Sequence, residues 1–300
     1  MTEPLYPLRI AAAPISWGVC EVPGWGHVLE AGTVLAEMAR LGITATELGP
    51  PGYLPDDPAV LRALLDGFGI RAVGGFLALP LHRAPEDALA AAQRAAALFA
   101  ATGAEILVLA AATGLDGYDA RPELDSAEWR TLLDTAAAVR DLAAEHGLRT
   151  VLHPHVGTHV ETEAEVERFL ADSDLDLCLD TGHLLLGGTD PVDLARRYPH
   201  RIGHVHLKDV RAELAAEVRS GAIEYSEAVR RGLYAPLGRG DIDIAALVRA
   251  VREAGYRGWY VIEQDTALRP TDTETSASRD AQHSLRYLAD LGVASASARR

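Results

Sequence analysis

Cysteine is scarce in this 300-residue chain: there are two, Cys20 and Cys178, neither in a CxxC pair nor at zinc-finger spacing. That excludes a disulfide framework and makes a reducing cytoplasm the expected compartment. Both read as small apolar residues rather than nucleophiles. No apolar run approaches the length of a membrane span, and the opening MTEPLYPLRI has neither the basic nor the apolar segment of a secretory leader, so no membrane partner is expected. Positive charge is also in short supply. Lys and Arg number 28 against 43 Asp and Glu, a net charge of −15, which repels phosphate backbones and argues against nucleic acid as a partner. The dense basic pairs, Arg196-Arg197, Arg230-Arg231 and Arg299-Arg300, read as solvated surface. A Gly-rich dinucleotide turn is missing too: Gly24-Trp25-Gly26 lacks the GxGxxG spacing.

What is present is a rhythm. Hydrophobic residues make up 48% of the chain, enough for a large core, and they fall into short runs at 9–16, 44–48, 71–79, 105–111, 149–155, 175–180, 202–209 and 259–264. Their near-continuous apolarity suits strands buried on both faces. Amphipathic stretches follow each run, at 28–41, 57–68, 84–102, 126–147, 162–171, 191–198, 243–254 and 278–291. Asp56 or Asp57 is placed to cap the second helix, and Thr162 with Glu165 forms a capping box for the fifth. Eight β/α alternations imply a parallel sheet with right-handed crossovers. The fold class is α/β, a single (β/α)8 TIM barrel spanning 1–293, with an open doubly wound sheet as runner-up. An insertion at about 210–240, carrying a helical pattern over 212–231, is expected to lie over the C-terminal mouth, where such barrels build their sites. Residues 294–300 read as a flexible tail.

Polar residues collect where the later strands end. The fifth ends in His153-Pro154-His155 and the sixth in Asp180-Thr181-Gly182-His183. The seventh carries His204, His206, Lys208 and Asp209, the eighth ends in Glu263-Gln264-Asp265, and the second adds Glu47. Imidazoles and carboxylates without thiolates suit Mn, Co, Fe or Zn better than Mg. Taken singly, each has a plain structural alternative: Glu47 as a rim ion pair, Asp180 as a helix N-cap. Together they point to a site, because buried acids and imidazoles are costly unless paired or metal-bound.

At these residues the chain resembles the sugar phosphate isomerase/epimerase superfamily of xylose isomerase-like barrels. The resemblance is carried by Asp180-Thr181-Gly182-His183, by His204-Val205-His206-Leu207-Lys208-Asp209, and by the stretch from Gly255 to Glu263. Within that superfamily it looks most like the inosose dehydratases, through Pro14-Ile15-Ser16-Trp17-Gly18, Thr46-Glu47-Leu48-Gly49, His153-Pro154-His155-Val156-Gly157-Thr158 and Pro236-Leu237-Gly238-Arg239-Gly240. The resemblance implies a metal held by residues from strands five to eight. Asp180, His206 and Glu263 match directly. The family's strand-five Glu falls at His153, so the fourth ligand is His153 itself, His155, or Glu161 folding back. The expected metal is Mn2+ or Co2+, ahead of Zn2+, Fe2+ or Mg2+.

The expected activity is loss of water from a keto-cyclitol, a polyhydroxy ketone, through an enediolate. Abstraction of a proton beside a carbonyl needs that carbonyl polarised and a base within reach. His183, His155 and Glu47 are the acid–base candidates. Lys208 and Arg211 are candidates for holding substrate oxygens, and Trp17 and Trp25 for packing beneath a ring. A keto-sugar 3-epimerase or isomerase is the alternative within the enzyme class, and a non-catalytic sugar-binding barrel the alternative outside it. Homo-oligomers follow from the resemblance alone. A DNA-repair function like that of endonuclease IV fits poorly, given the acidic charge.

Overall fold

A computed structural model describes residues 8–272 and 274–297. Ten strands occur in chain order: β1 (Arg9–Ala12), β2 (Ala45–Glu47), β3 (Arg71–Leu79), β4 (Ile106–Ala111), β5 (Arg149–Leu152), β6 (Asp176–Asp180), β7 (Ile202–Leu207), β8 (Asp209–Val210), β9 (Tyr234–Ala235) and β10 (Trp259–Ile262). Eight form a closed parallel barrel in the order β1-β10-β7-β6-β5-β4-β3-β2, and β8 and β9 make a separate antiparallel ribbon. The expected (β/α)8 barrel is thus present. Its seam joins the first and last strands, Arg9 opposite Trp259 and Ala12 opposite Ile262.

The helices are α1 (Ala31–Arg40), α2 (Pro58–Gly67), α3 (Pro85–Ala101), α4 (Ser126–Glu145), α5 (Glu163–Asp172), α6 (Thr181–Leu186), α7 (Pro191–Arg197), α8 (Ala212–Arg219), α9 (Tyr225–Arg230), α10 (Ile244–Glu253) and α11 (Glu274–Ser297). Asp57 caps α2 and the Thr162/Glu165 capping box starts α5, so local chemistry sets these boundaries as the sequence implies.

Several boundaries differ from the sequence reading. The run at 9–16 leaves the sheet at Ala12 and turns into a 3-10 helix, Pro14–Trp17. The run at 149–155 ends at Leu152; the His153 amide still donates to the Leu109 carbonyl at 2.7 Å, and Pro154, having no N–H, ends the ladder. The pattern at 212–231 is two helices, α8 and α9, broken at 220–224, and the ribbon β8/β9 closes the base of the insertion. α11 continues past Ala294, where a frayed tail is expected, to Ser297; residues 298–300 lie outside those described.

Strand alternation places the site. Ala45, Val73, Val108, Val151, Cys178 and Val261 belong to small apolar clusters apart from the main core, which lies between sheet and helices. Side chains two residues apart share a face. The next position on that inner face is Glu47 on β2, His153 after β5, Asp180 on β6 and Glu263 after β10, and β7 contributes His204 and His206. The barrel interior is therefore apolar at depth and ionic at its C-terminal mouth.

Candidate metal centre and active site

Four side chains from four adjacent staves meet in the mouth. One ligand atom each from His153, Asp180, His206 and Glu263 lies within 4.8 Å of the others. His206 Nδ1 is 2.8 Å from Glu263 Oε2, 3.2 Å from His153 Nε2 and 3.6 Å from Asp180 Oδ2. Asp180 divides its work. Oδ1 accepts from the amides of Gly182 and His183 at 2.9 and 2.8 Å, capping α6, while the buried Oδ2 has no hydrogen-bond partner. The N-cap and ligand readings of Asp180 are thus compatible, one oxygen each.

A divalent cation fits this set. Two carboxylates and two imidazoles form a closed N/O donor group suited to a transition metal. The orphaned Asp180 Oδ2 and the facing nitrogens of His153 and His206 are what a missing positive charge leaves behind. The far side of His206 is also organised: Glu47 Oε1 lies 3.0 Å from His206 Nε2 and 2.8 Å from His204 Nε2. Burial opposes charge on Glu47, but His206 and His204 outweigh it and hold the carboxyl well below its ordinary range.

Lys208 projects into the same space, 2% exposed. Its Nζ donates to Asp265 Oδ1, pairs with Glu263 Oε2 at 2.9 Å, and stands 3.7 Å from Asp180 Oδ2. Burial opposes its charge; Asp265, Glu263 and Asp180 overcome that and hold the ammonium well above its ordinary value. The path of Lys208 explains the glycine of Asp180-Thr181-Gly182-His183: a Cβ on Gly182 would come within 2.8 Å of Lys208 Cβ and of the Tyr234 ring.

Beside the cluster two imidazoles stack. The rings of His155 and His183 lie 3.7 Å apart at 31°, and Val156 bonds to both. His155 Nδ1 is 2.7 Å from the Val156 carbonyl, which can only accept, so Nδ1 carries the proton and Nε2 keeps its lone pair. The Val156 amide donates to His183 Nδ1 at 3.4 Å, which places the other ring's proton on Nε2. Burial, then His153 and Lys208, push His155 down to about 3, and burial with His155 depresses His183 strongly. Both are neutral at neutral pH.

The matching family model, xylose isomerase-like TIM barrel, covers residues 35–291. The chain belongs to the xylose isomerase-like TIM-barrel family. It is 35% identical to the inosose dehydratase of Geobacillus kaustophilus over 89% of this chain and 91% of that protein. It is 32% identical to the inosose dehydratase of Geobacillus thermodenitrificans over 87% and 91%. Among solved structures, that of L-ribulose 3-epimerase superposes with a TM-score of 0.69 at 19% identity, covering 97% of this chain and 96% of that one. This xylose isomerase-like barrel is an enzyme of the lyase or epimerase kind.

Not every residue singled out from the sequence reaches the site of this family member. His153, His155, Glu47, His206, Lys208, Glu263 and Trp25 line the pocket, with Asp180 beneath and His183 behind His155. Glu161 does not: it is 3.2 Å from Arg121 and accepts from the Gly157 amide at 2.7 Å, and the side chain after β5 that joins the cluster is His153. Arg211 is exposed and donates to the Gly232 carbonyl, bracing the insertion rather than facing the mouth. Trp17 is fully buried in the core, its Nε1 3.2 Å from Ser278 Oγ on α11. The structure adds Glu21, Tyr118 and Asp265 to the lining, and Tyr225 and Tyr234 around Asp265. Among the described residues, no helix is long and apolar enough to cross a membrane.

Proposed function

We propose that this protein is a metal-dependent hydro-lyase that removes water from a keto-cyclitol of the inosose type. The observation that carries the reading is the buried His153/Asp180/His206/Glu263 cluster with its partnerless Asp180 oxygen, set beside a histidine whose Nε2 is free to accept a proton. Similarity to the inosose dehydratases supplies the substrate class. Those four residues would hold the cation, with Mn2+ or Co2+ the preferred ions for a mixed imidazole and carboxylate set. When bound, it polarises a carbonyl and stabilises charge that develops on its oxygen.

The remaining work falls to protein groups. Lys208, fixed by Glu263 and Asp265, places a permanent positive charge where substrate oxygens enter. Trp25 and Tyr118 give the pocket apolar walls for the C–H face of a ring. His155 takes the proton from the carbon beside the carbonyl on Nε2. The electron pair forms the new carbon–carbon double bond as the neighbouring C–O bond breaks. The imidazolium returns its proton to the departing hydroxide, which leaves as water. His183 supports the His155 ring from behind.

A second reading, epimerisation, needs another base on the opposite ring face. The other carboxylates lining the pocket are already bonded: Glu47 to two histidines, Glu263 and Asp265 to Lys208, Glu21 to Tyr118. That favours elimination. The free cysteines support a reducing cytoplasm as the compartment.

Incubation of the chelated protein with scyllo-inosose, with and without added Mn2+ or Co2+, tests the proposal. Metal-dependent growth of the ultraviolet absorbance of an unsaturated diketone is expected. A metal-dependent epimer with no loss of water would replace dehydratase by epimerase. Turnover that is unaffected by chelation and metal would remove the metal from the reading.

A further inference from the structure

Lys208 is the only lysine in the chain, and what holds it reaches beyond the barrel wall. Its partner Asp265 has a second oxygen, Oδ2, which accepts the Tyr225 hydroxyl at 2.7 Å; that hydroxyl lies 3.1 Å from the hydroxyl of Tyr234. Both tyrosines come from the insertion, Tyr225 at the first residue of α9 and Tyr234 in β9. Tyr225 is 2% exposed. Its ring centroid is 6.0 Å from Trp25 and 6.1 Å from Tyr118, which lie 6.4 Å from each other. Three rings from the loop after β1, the loop after β4 and the insertion thus close a triangle over the mouth. Below it, Tyr118 stands 4.7 Å from His155 and Tyr225 6.1 Å from His183.

We propose that Tyr225 is a positioning residue: by fixing Asp265 it fixes Lys208, so that the insertion holds the ammonium aligned with substrate. Asp265 is the hydrogen-bonded link, and the Tyr234 ring lies 5.5 Å from the same ammonium. One oxygen faces Lys208 and the other faces Tyr225, so a shift of α9 is transmitted to Nζ through one rigid carboxylate. Without the Tyr225 hydroxyl, Asp265 loses its second donor, and the carboxylate that hydrogen-bonds the Lys208 ammonium is no longer held from both sides. The insertion is thereby coupled to a charged group inside the pocket. The inference rests on the proposed reaction for its kinetic consequence, but not for its structural one.

The test is Tyr225→Phe in the full-length, metal-loaded protein, which keeps the ring and removes the hydroxyl. Losing one hydrogen bond to a charged group corresponds to about a tenfold fall in kcat. KM, metal content and thermal midpoint are expected to stay near wild type. A second readout needs no turnover. The only reactive amines are the Lys208 side chain and the chain's N-terminus, so acetylation followed by mass spectrometry reports Lys208 against an internal control. Lys208 is expected to react slowly in the wild type and several-fold faster in Tyr225→Phe, with N-terminal labelling unchanged. Unchanged Lys208 labelling overturns the proposal, whether kcat stays at wild type or falls only in step with the thermal midpoint. If the wild type turns over no keto-cyclitol, the dehydratase reading fails, and the labelling comparison still decides the role of Tyr225.

Discussion

The two nitrogens of His206 face different chemistries. Nδ1 looks into the ligand cluster, while Nε2 is held by Glu47, which also holds His204. A carboxylate behind a ligating imidazole fixes its tautomer and raises its basicity, and losing such a partner typically costs 10–100-fold in metal affinity. Glu47→Gln is accordingly expected to weaken Mn2+ binding by about that factor, measured by titration of the chelated protein, with turnover recovering at saturating metal. A second histidine pair gives a pH prediction away from the pocket. His159 and His82 pack edge to face at 4.4 Å, with Arg83, Arg121, Glu165 and Glu128 as the charged groups around them. Burial, then His82 and Arg121, push His159 down to about 4. Its folded pKa is below the unfolded value, so its contribution is full above about pH 6.5 and is lost as pH falls toward 4. Urea denaturation at pH 7.5 and 4.5 should show a smaller loss of stability for His159→Gln than for wild type; equal losses would remove His159 from the acid response.

At the scale of elements, one acid gathers the end of the insertion against the barrel. Asp209, buried in β8, accepts from the amides of Gly238 and Gly240 at 2.8 and 2.9 Å and of Ile242 at 3.1 Å. It thereby folds the Pro236–Gly240 stretch against the end of β7. Asp209→Ala leaves those amides without their acceptor and is expected to cost about 3 kcal/mol, read from the denaturation midpoint. The strands were legible because most are near-continuous apolar runs followed by amphipathic helices, several of which open on a side-chain cap: Asp57, Asp125, Thr162, Asp190 and Asp243. The clustered side chains were legible because polar residues at strand ends continue an inward-facing alternation, as Val151 to His153 and Val261 to Glu263 show. Residues in loops were not. Arg211 is decided by Gly232 and Glu161 by Arg121, partners too distant in sequence for local pattern to reveal. Tyr118 and Tyr225 carry no periodicity that would mark them as neighbours. The start of α6 was signalled by Asp180 as an N-cap, but Thr181–Leu186 is too short to show a helical period of its own.

For the whole molecule, charge and closure matter most. Buried acids and imidazoles concentrated at one mouth should make the cation a stabilising ligand of the native state. Chelation is expected to lower the thermal midpoint, and stoichiometric Mn2+ or Co2+ to restore it; an unchanged midpoint would show that the cluster holds no ion of consequence. Closure has a consequence in time. Strands β2 to β7 follow one another along the wall, but β1 has no neighbour on its other side until β10 pairs with it, and β7 is likewise unpaired on its outer flank. A chain emerging from the ribosome therefore carries a seven-stranded sheet with two bare edges, and bare edges seek partners. Neither edge is covered until residues 259–262 arrive. Glu263, a member of the ligand cluster, follows immediately. The step that seals the sheet against other chains is thus also the step that brings in the last of the four clustered side chains, and a nascent chain reaches both states in one stroke.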